Sequence, residues 1–486
     1  MVYLIGAGPG QEELITVKAV RVLKKCTAVL YDRLAGNHVL KYLNKNCKLY
    51  YCGKEPGCHY KSQEEINAML IKLAKEGHIV GRIKGGDPYV FGRGGEEGEA
   101  LYREGIDFEV VPGVTSAVSV LSYAGIPVTS RGYSQSFHVF TGMSAEKLNI
   151  NWRAVSKLTG TLVFLMGIEN IEVIVERLIA AGKDPNTLAA VVMKGTSSSQ
   201  KKVIGTLENI SKKVRKAGLK SPSIIVFGEV VKLSDTLNWY ERKPLFGVNV
   251  CITRSKEQAV ELRERILDLG AEVTEVNALG IKEIEGALEP YIDKVTSYNY
   301  IVFTSVNSVN IFFDQLLKKK IDVRLIKAKF AIIGPATEKA LLSRGIVPSI
   351  KAEEFISENL SQRLSTVLKA GDRVLIPCSK QARPVFFKDL LKTGALVDLV
   401  HIYEPVLGDN YQTYNLENVD IIVYTSPSIV KNMIHLFGTV ALRNKRAMAI
   451  GPITKKELID NDISCIVCED HSTEGILKKL LEIYKK

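Results

Sequence analysis

Three segments of the sequence combine glycine turns with acidic or hydroxyl side chains in a spacing that suits a ligand-binding edge. The first is Ile5-Gly6-Ala7-Gly8-Pro9-Gly10, directly after an apolar run. The second is Gly81-Arg82-Ile83-Lys84-Gly85-Gly86-Asp87-Pro88-Tyr89-Val90-Phe91-Gly92-Arg93-Gly94-Gly95-Glu96-Glu97, an apolar run entering a double glycine and then an acid. The third is Val111-Pro112-Gly113-Val114-Thr115-Ser116-Ala117, a tight turn opening a helix. Glycine lets the backbone approach a ligand closely. Asp87 is placed to accept ribose hydroxyls or to face a cation, and the amides and hydroxyls at Thr115-Ser116 suit polar groups. A dinucleotide fold is the rival for the first segment, because Asp32 ends the next apolar run where a ribose-binding acid would lie. The fingerprint fails: Gln11 stands where its third glycine belongs, and Pro9 removes a donor from the loop.

The second half of the chain offers hydroxyls at apparent helix starts instead: Thr304-Ser305, Gly334-Pro335-Ala336-Thr337, Thr425-Ser426 and Gly451-Pro452-Ile453-Thr454. Hydroxyls and helix N-termini are good carboxylate receptors, so this pattern suits a polycarboxylate held by many modest hydrogen bonds. Metal chemistry is not indicated. Cys465 and Cys468 sit in a β-branched run, where positions i and i+3 face opposite ways. Cys47, Cys52, Cys58 and His59 fit no standard zinc spacing.

The elements that must position these residues follow an α/β pattern. Short β-branched runs alternate with amphipathic stretches, which predicts strands over 2–5, 28–31, 79–83, 162–166, 224–227, 249–253, 300–304, 330–333, 374–376 and 421–424. Most end in Gly, Thr, Ser or Asp, and in such sheets ligands bind at the carboxyl ends of strands. The charged stretch Glu241-Arg242-Lys243-Pro244 within 238–247 marks a boundary, dividing the chain into 1–245 and 246–486. The second part repeats itself. Phe303–Val309 resembles Tyr424–Val430, Ile333–Thr337 resembles Ile450–Thr454, and Val250–Ala271 resembles Val374–Ala395, all at an offset of about 117–124 residues. Two similar α/β lobes with a cleft between them are expected.

Composition bounds the rest. With 486 residues, 46% hydrophobic and 24% charged, the chain is globular and long enough for two to four domains. The longest apolar runs, such as 188–193, fall far short of the ~18 residues of a membrane span. Neither they nor the N-terminus suggests a leader, which points to the cytoplasm and reduced thiols. The net charge is +12, with about +10 before residue 245 and about +2 after it. The basic residues are scattered, without the clustered stripe of a nucleic-acid binder, and they suit a polyanionic small substrate.

The motifs of the first half carry a resemblance. Val2–Gly10 with Asp32-Arg33-Leu34, Gly81–Glu97, Pro112–Ala117 and Gly125-Ile126-Pro127-Val128-Thr129 resemble the uroporphyrinogen-III C-methyltransferases of the tetrapyrrole methylase family. The resemblance implies two α/β subdomains with S-adenosylmethionine in the groove between them, assembled as a homodimer. It implies that Pro9, Gly85, Gly86, Asp87, Val90, Thr115, Ser116, Met166 and Gly195 line that groove. It puts the proton acceptor at Asp32 and a proton donor at Lys54. Val90 stands where isoleucine is common, and Met143 where histidine often follows Thr-Gly. Taken without the resemblance, Asp32 also reads as a helix cap and Lys54 as a solvated charge.

The second half resembles uroporphyrinogen-III synthase through Thr253-Arg254, Phe303–Val309, Ile333–Thr337, Ile402-Tyr403 and Ile450–Thr454. The resemblance implies a bilobed α/β fold, with 284–404 inserted between 248–283 and 405–486. It implies Tyr403 as the acid that assists loss of a hydroxyl, and Ser426 and Thr454 as substrate contacts. Pro405 and the segment Cys378–Arg383 depart from the family pattern, and Tyr403 also reads as a packed hinge residue. Together the two resemblances imply a bifunctional enzyme. It would close hydroxymethylbilane to uroporphyrinogen III and methylate the product twice, giving precorrin-2 for sirohaem or cobalamin, without metal. Two alternatives stay open: a non-catalytic tetrapyrrole-binding second half, and a nucleotide-dependent oxidoreductase.

Overall fold

A computed structural model describes residues 1–32, 37–53, 61–143, 150–253, 256–352, 357–382, 389–407 and 416–484. Lys54, Cys58, His59, Arg33, Leu34, Arg254 and Arg383 lie outside the described residues. The chain divides into two compact units. One holds Met1–Val250, Glu264–Val273 and Leu477–Lys486, and the other holds Cys251–Arg263 and Thr274–Ile476.

The first sheet contains β1 (Val2–Gly6), β2 (Ala28–Tyr31), β3 (Lys48–Tyr51), β4 (Val80–Lys84) and β5 (Phe108–Val111), in the order β3-β2-β4-β1-β5. All its neighbours pair in parallel. The register sets Gly6 beside Lys84 and Ile5 beside Val111, so the glycine turns that follow these strands emerge at one edge. Because β4 separates β1 from β2, Asp32 does not follow the strand beside the first glycine loop. In the dinucleotide fold, which runs 3-2-1-4-5-6, that strand is its neighbour.

A second, mixed sheet follows: β6 (Phe137–Thr141), β7 (Thr161–Leu165), β8 (Leu188–Met193), β9 (Lys201–Thr206) and β10 (Ser223–Phe227), in the order β6-β7-β10-β8-β9. Its β10 is buried along its whole length. The helix Ser116–Tyr123 packs through Ala117, Val120 and Leu121 on Val163, Leu165, Ala190 and Val226 of this sheet.

In the later part of the chain, β11 (Asn249–Ile252) and β12 (Glu272–Glu275) start a third sheet. The chain then builds β13 (Gly280–Glu283), β14 (Tyr300–Phe303), β15 (Lys329–Ile332), β16 (Ile350–Lys351), β17 (Arg373–Ser379) and β18 (Leu396–Val406), a separate six-stranded sheet. It returns to the third sheet with β19 (Ile421–Tyr424), β20 (Arg446–Ala449) and β21 (Cys465–Val467). The six-stranded sheet runs β13-β18-β17-β14-β15-β16, and only β13 against β18 is antiparallel. Phe303, Phe312, Phe313 and Phe330 form its aromatic core. Two α/β lobes result, as the internal repeat implies. No helix among the described residues is long and apolar enough to cross a membrane.

Candidate functional sites

At the carboxyl edge of the first sheet three glycines meet. A side chain on Gly6 would lie 2.5 Å from Gly113 N and 2.7 Å from Gly86 O, and one on Gly113 would lie 2.1 Å from Gly86 O. Main-chain bonds lock the contact, with Gly86 N–H donating to Gly8 O at 2.7 Å and Ala7 N–H to Lys84 O at 2.8 Å. Asp87 pins the same turn. Its two carboxylate oxygens accept Tyr89 N–H at 2.8 Å and Gly113 N–H at 3.0 Å, so its observed bonds shape the loop. Gly86, at φ +66°, leaves Ser116 N 3.8 Å from where a Cβ would stand, which opens the turn toward the start of the helix Ser116–Tyr123. Thr115 caps that helix, accepting Ala117 N–H. Pro9, Gly85, Gly86, Asp87, Thr115 and Ser116 therefore gather around one rim, with Val90 exposed on the turn beside them.

Gly195 and Met166 lie in loops that follow strands of the second sheet. Gly195 packs so tightly on the same helix that a Cβ would fall 2.3 Å from Val120. Met166 follows β7 with φ +56° and is 41% exposed. Of the seven non-glycine residues with left-handed backbone among the described residues, five (Phe91, Arg93, Met166, Lys194 and Thr196) lie in the loops that carry these residues. Such strain persists only where the surroundings over-determine it, and it clusters at ligand sites.

Asp32 ends β2 at the same edge, half-buried, with Arg82 Nη2 3.6 Å from its Oδ2. Arg82 belongs to a buried charge cluster that sequence reasoning missed. Glu97 is fully buried, and its Oε1 accepts from Arg82 Nε at 3.0 Å, Lys84 Nζ at 2.7 Å and Gln63 Nε2 at 3.2 Å. Burial, and then the neighbouring Arg82, pushes the Lys84 ammonium below its ordinary value. The available signal was two cations spaced i, i+2 inside an apolar strand, a pattern that demands an anion on one face.

In the later part of the chain, Tyr403 ends up on β18, 6% exposed, with its hydroxyl 2.9 Å from Ser305 Oγ. Ser305 Oγ also lies 2.8 Å from Ser308 Oγ and accepts Ser308 N–H, capping the helix Val306–Lys318. The sequence marks Ser305 as a hydroxyl at a helix start, but not as the partner of Tyr403. The two lobes repeat this cap: Ser305 has φ −158° and ψ 158°, and Ser426 has φ −162° and ψ 159° while accepting Ile429 N–H. Ser426 follows β19 and Thr454 lies in the first turn after β20, so both belong to the third sheet, whereas Tyr403 belongs to the six-stranded one. Thr454 is buried, 3% exposed. Cys378 is buried on β17, and burial pushes its thiol up to about 11, which removes it from nucleophilic chemistry near neutral pH. Among the described residues, no group of three or more His, Cys, Asp or Glu is placed to hold a metal ion.

Each part of the chain matches a known family. The family of tetrapyrrole (corrin/porphyrin) methylases matches residues 1–211, and the uroporphyrinogen-III synthase HemD family matches residues 260–478. A porphyrin biosynthesis protein HemD of Ruminiclostridium josui is 35% identical over 99% of this chain and 98% of its own length. A uroporphyrinogen-III C-methyltransferase of Bacillus subtilis is 38% identical over 71% of this chain and 72% of its own length. A crystal structure of the uroporphyrin-III C-methyltransferase of Thermus thermophilus with S-adenosylhomocysteine shares 38% identity, covering 48% of this chain and 98% of that one at a TM-score of 0.42. The chain belongs to the tetrapyrrole methylases over its first part and to the uroporphyrinogen-III synthase HemD family over its second, joined in one polypeptide.

Proposed function

We propose that residues 1–245 methylate two ring carbons of uroporphyrinogen III from S-adenosylmethionine, giving precorrin-2 for sirohaem or cobalamin. Residues 246–486, with 284–404 inserted as a lobe between 248–283 and 405–486, make that uroporphyrinogen III from hydroxymethylbilane. The protein would act in the cytoplasm as a homodimer through its first part. The reading is carried by the edge where Gly6, Gly86 and Gly113 touch, because only residues without side chains let these three loops close on one another while Gly86 stays open toward Thr115 and Ser116.

The residues present fit the methyl donor. Gly86 opens onto the Thr115–Ser116 helix start, and Met166 stands exposed on the loop after β7. When bound, S-adenosylmethionine supplies an already activated methyl group, so the protein's task is to hold donor and acceptor carbon in line, about 3–3.5 Å apart. Gly85, Gly86 and Gly195 shape the walls, and Asp87 fixes the turn that carries them. Asp32 Oδ accepts the proton that leaves the tetrapyrrole framework, with Arg82 behind it keeping the carboxylate aimed. Lys54, which lies outside the described residues, remains the donor implied by the family. In the second part, the Tyr403 hydroxyl, held by Ser305, donates the proton that lets the bilane hydroxyl leave as water. Ser426 contributes to the carboxylate-binding surface, and Thr454, implied as a second contact by the family, is buried at 3% exposure and supports the helix start beneath it.

The test is the intact chain with hydroxymethylbilane and S-adenosylmethionine, followed by mass spectrometry and isomer analysis. A dimethylated type III product is expected. Spontaneous type I product alone would exclude the synthase, and unmethylated type III product would exclude the methyltransferase. Retention of NAD in place of S-adenosylhomocysteine would favour a nucleotide-dependent oxidoreductase.

A further inference from the structure

Thr196, next to Gly195, holds a left-handed backbone, φ +70°, which is a true outlier for a β-branched residue. It is 1% exposed, and three separate segments grip it. Its Oγ1 accepts Gln11 N–H at 3.2 Å, just beyond Pro9-Gly10, which ties the loop of the second sheet to the loop of the first. Its own N–H donates to Gln200 Oε1 at 3.0 Å, and its carbonyl accepts the Tyr240 hydroxyl at 3.4 Å.

Behind this grip stands the segment 238–241. Glu241 Oε1 accepts Gln200 Nε2 at 2.9 Å, its Oε2 accepts Asn238 Nδ2 at 3.0 Å, and Lys202 Nζ lies 3.1 Å from the same oxygen. Tyr240 is buried edge-on between Tyr123 and Phe246. The segment lies beyond the residues 1–211 that match the methylase family, in the stretch the sequence marks as a boundary.

We propose that residues 238–241 form a strap that positions the donor-binding loop. Glu241, through Gln200, and Tyr240 directly hold Thr196 in its strained backbone and so fix the spacing between the two walls of the groove. A β-branched residue in this conformation relaxes unless its neighbours over-determine it, and Glu241 is the hub of those neighbours. Glu241 and Thr196 are thus positioning residues. This inference rests on the donor groove proposed above.

The test measures S-adenosylhomocysteine binding by calorimetry on the full-length protein, together with donor KM, kcat and thermal unfolding. Glu241→Gln is expected to stay folded, weaken binding about tenfold and raise the donor KM, with kcat changed by less than about twofold. Lys194→Gly, which relieves a second left-handed residue of the loop (φ +48°) at an exposed position, is expected to restore part of the affinity in that background. A purely structural role would shift the melting temperature without this rescue. If Glu241→Gln does not fold, Asn238→Ala is read the same way: weaker binding supports the strap. A folded variant with wild-type affinity overturns it. Failure of the unsubstituted protein to bind S-adenosylhomocysteine overturns the donor-groove reading instead.

Discussion

The first part of the chain builds its candidate site from backbone, and the second builds its own from hydroxyls. At the rim of the first sheet, Gly6, Gly86 and Gly113 are in van der Waals contact, and five non-glycine residues in the candidate-site loops hold left-handed backbone. In the second part, Ser305, Ser426 and Tyr403 sit in relaxed or ordinary conformations, each doing with a side chain what the first part does with its main chain. The contrast teaches that the two sites should fail differently. The backbone-built site has no tolerance for an added atom, whereas the hydroxyl-built site should degrade by steps as single bonds are lost.

The sharpest way to break this contrast is Gly113→Ala. The new methyl would sit 2.1 Å from Gly86 O, so methyl transfer should fall by roughly a hundredfold or more, while bilane cyclisation stays near wild type. Assaying both activities on one preparation checks it, and equal loss of both would show that the parts are not independent. Next in size is Glu97→Ala. It strands Arg82 and Lys84 as buried cations, and removing one partner of such a cluster costs ~3–5 kcal/mol. Calorimetry should show the lost stability, and Glu97→Gln should lose less. Tyr403→Phe should lower formation of the type III isomer about tenfold to a hundredfold with melting unchanged, because it removes one hydroxyl from a folded lobe. Smallest of all, Cys378→Ala should leave cyclisation within about twofold, and iodoacetamide should label this thiol appreciably only as pH rises toward about 11. Rapid labelling near pH 7 would contradict its burial.

The same contrast explains what sequence could show. Gly85, Gly86 and Gly113 are conspicuous because few other residues satisfy such turns, and the strand predicted over 79–83 is found at Val80–Lys84. The α/β class and the two lobes also follow from β-branched runs and an internal repeat. By contrast, β3 and β9 carry lysines on half-exposed edges, so their period is blurred. Arg82 and Lys84 in an apolar strand call for an anion, but which one is not local: a helix brings Glu97 over them, and that meeting is tertiary. Tyr240 and Glu241 look like punctuation between domains, because nothing local announces that their partners are Thr196 and Gln200, some 40 residues earlier.

The concentration of left-handed residues at Phe91, Arg93, Met166, Lys194 and Thr196 has an evolutionary consequence. A lineage selected only for heat tolerance would drift toward glycine or asparagine at such places, shedding conformational tension, and would shed activity with it where the strained residue itself joins the loops, as at Thr196. Their retention in a warm-adapted descendant would record continued demand for catalysis, readable without any assay.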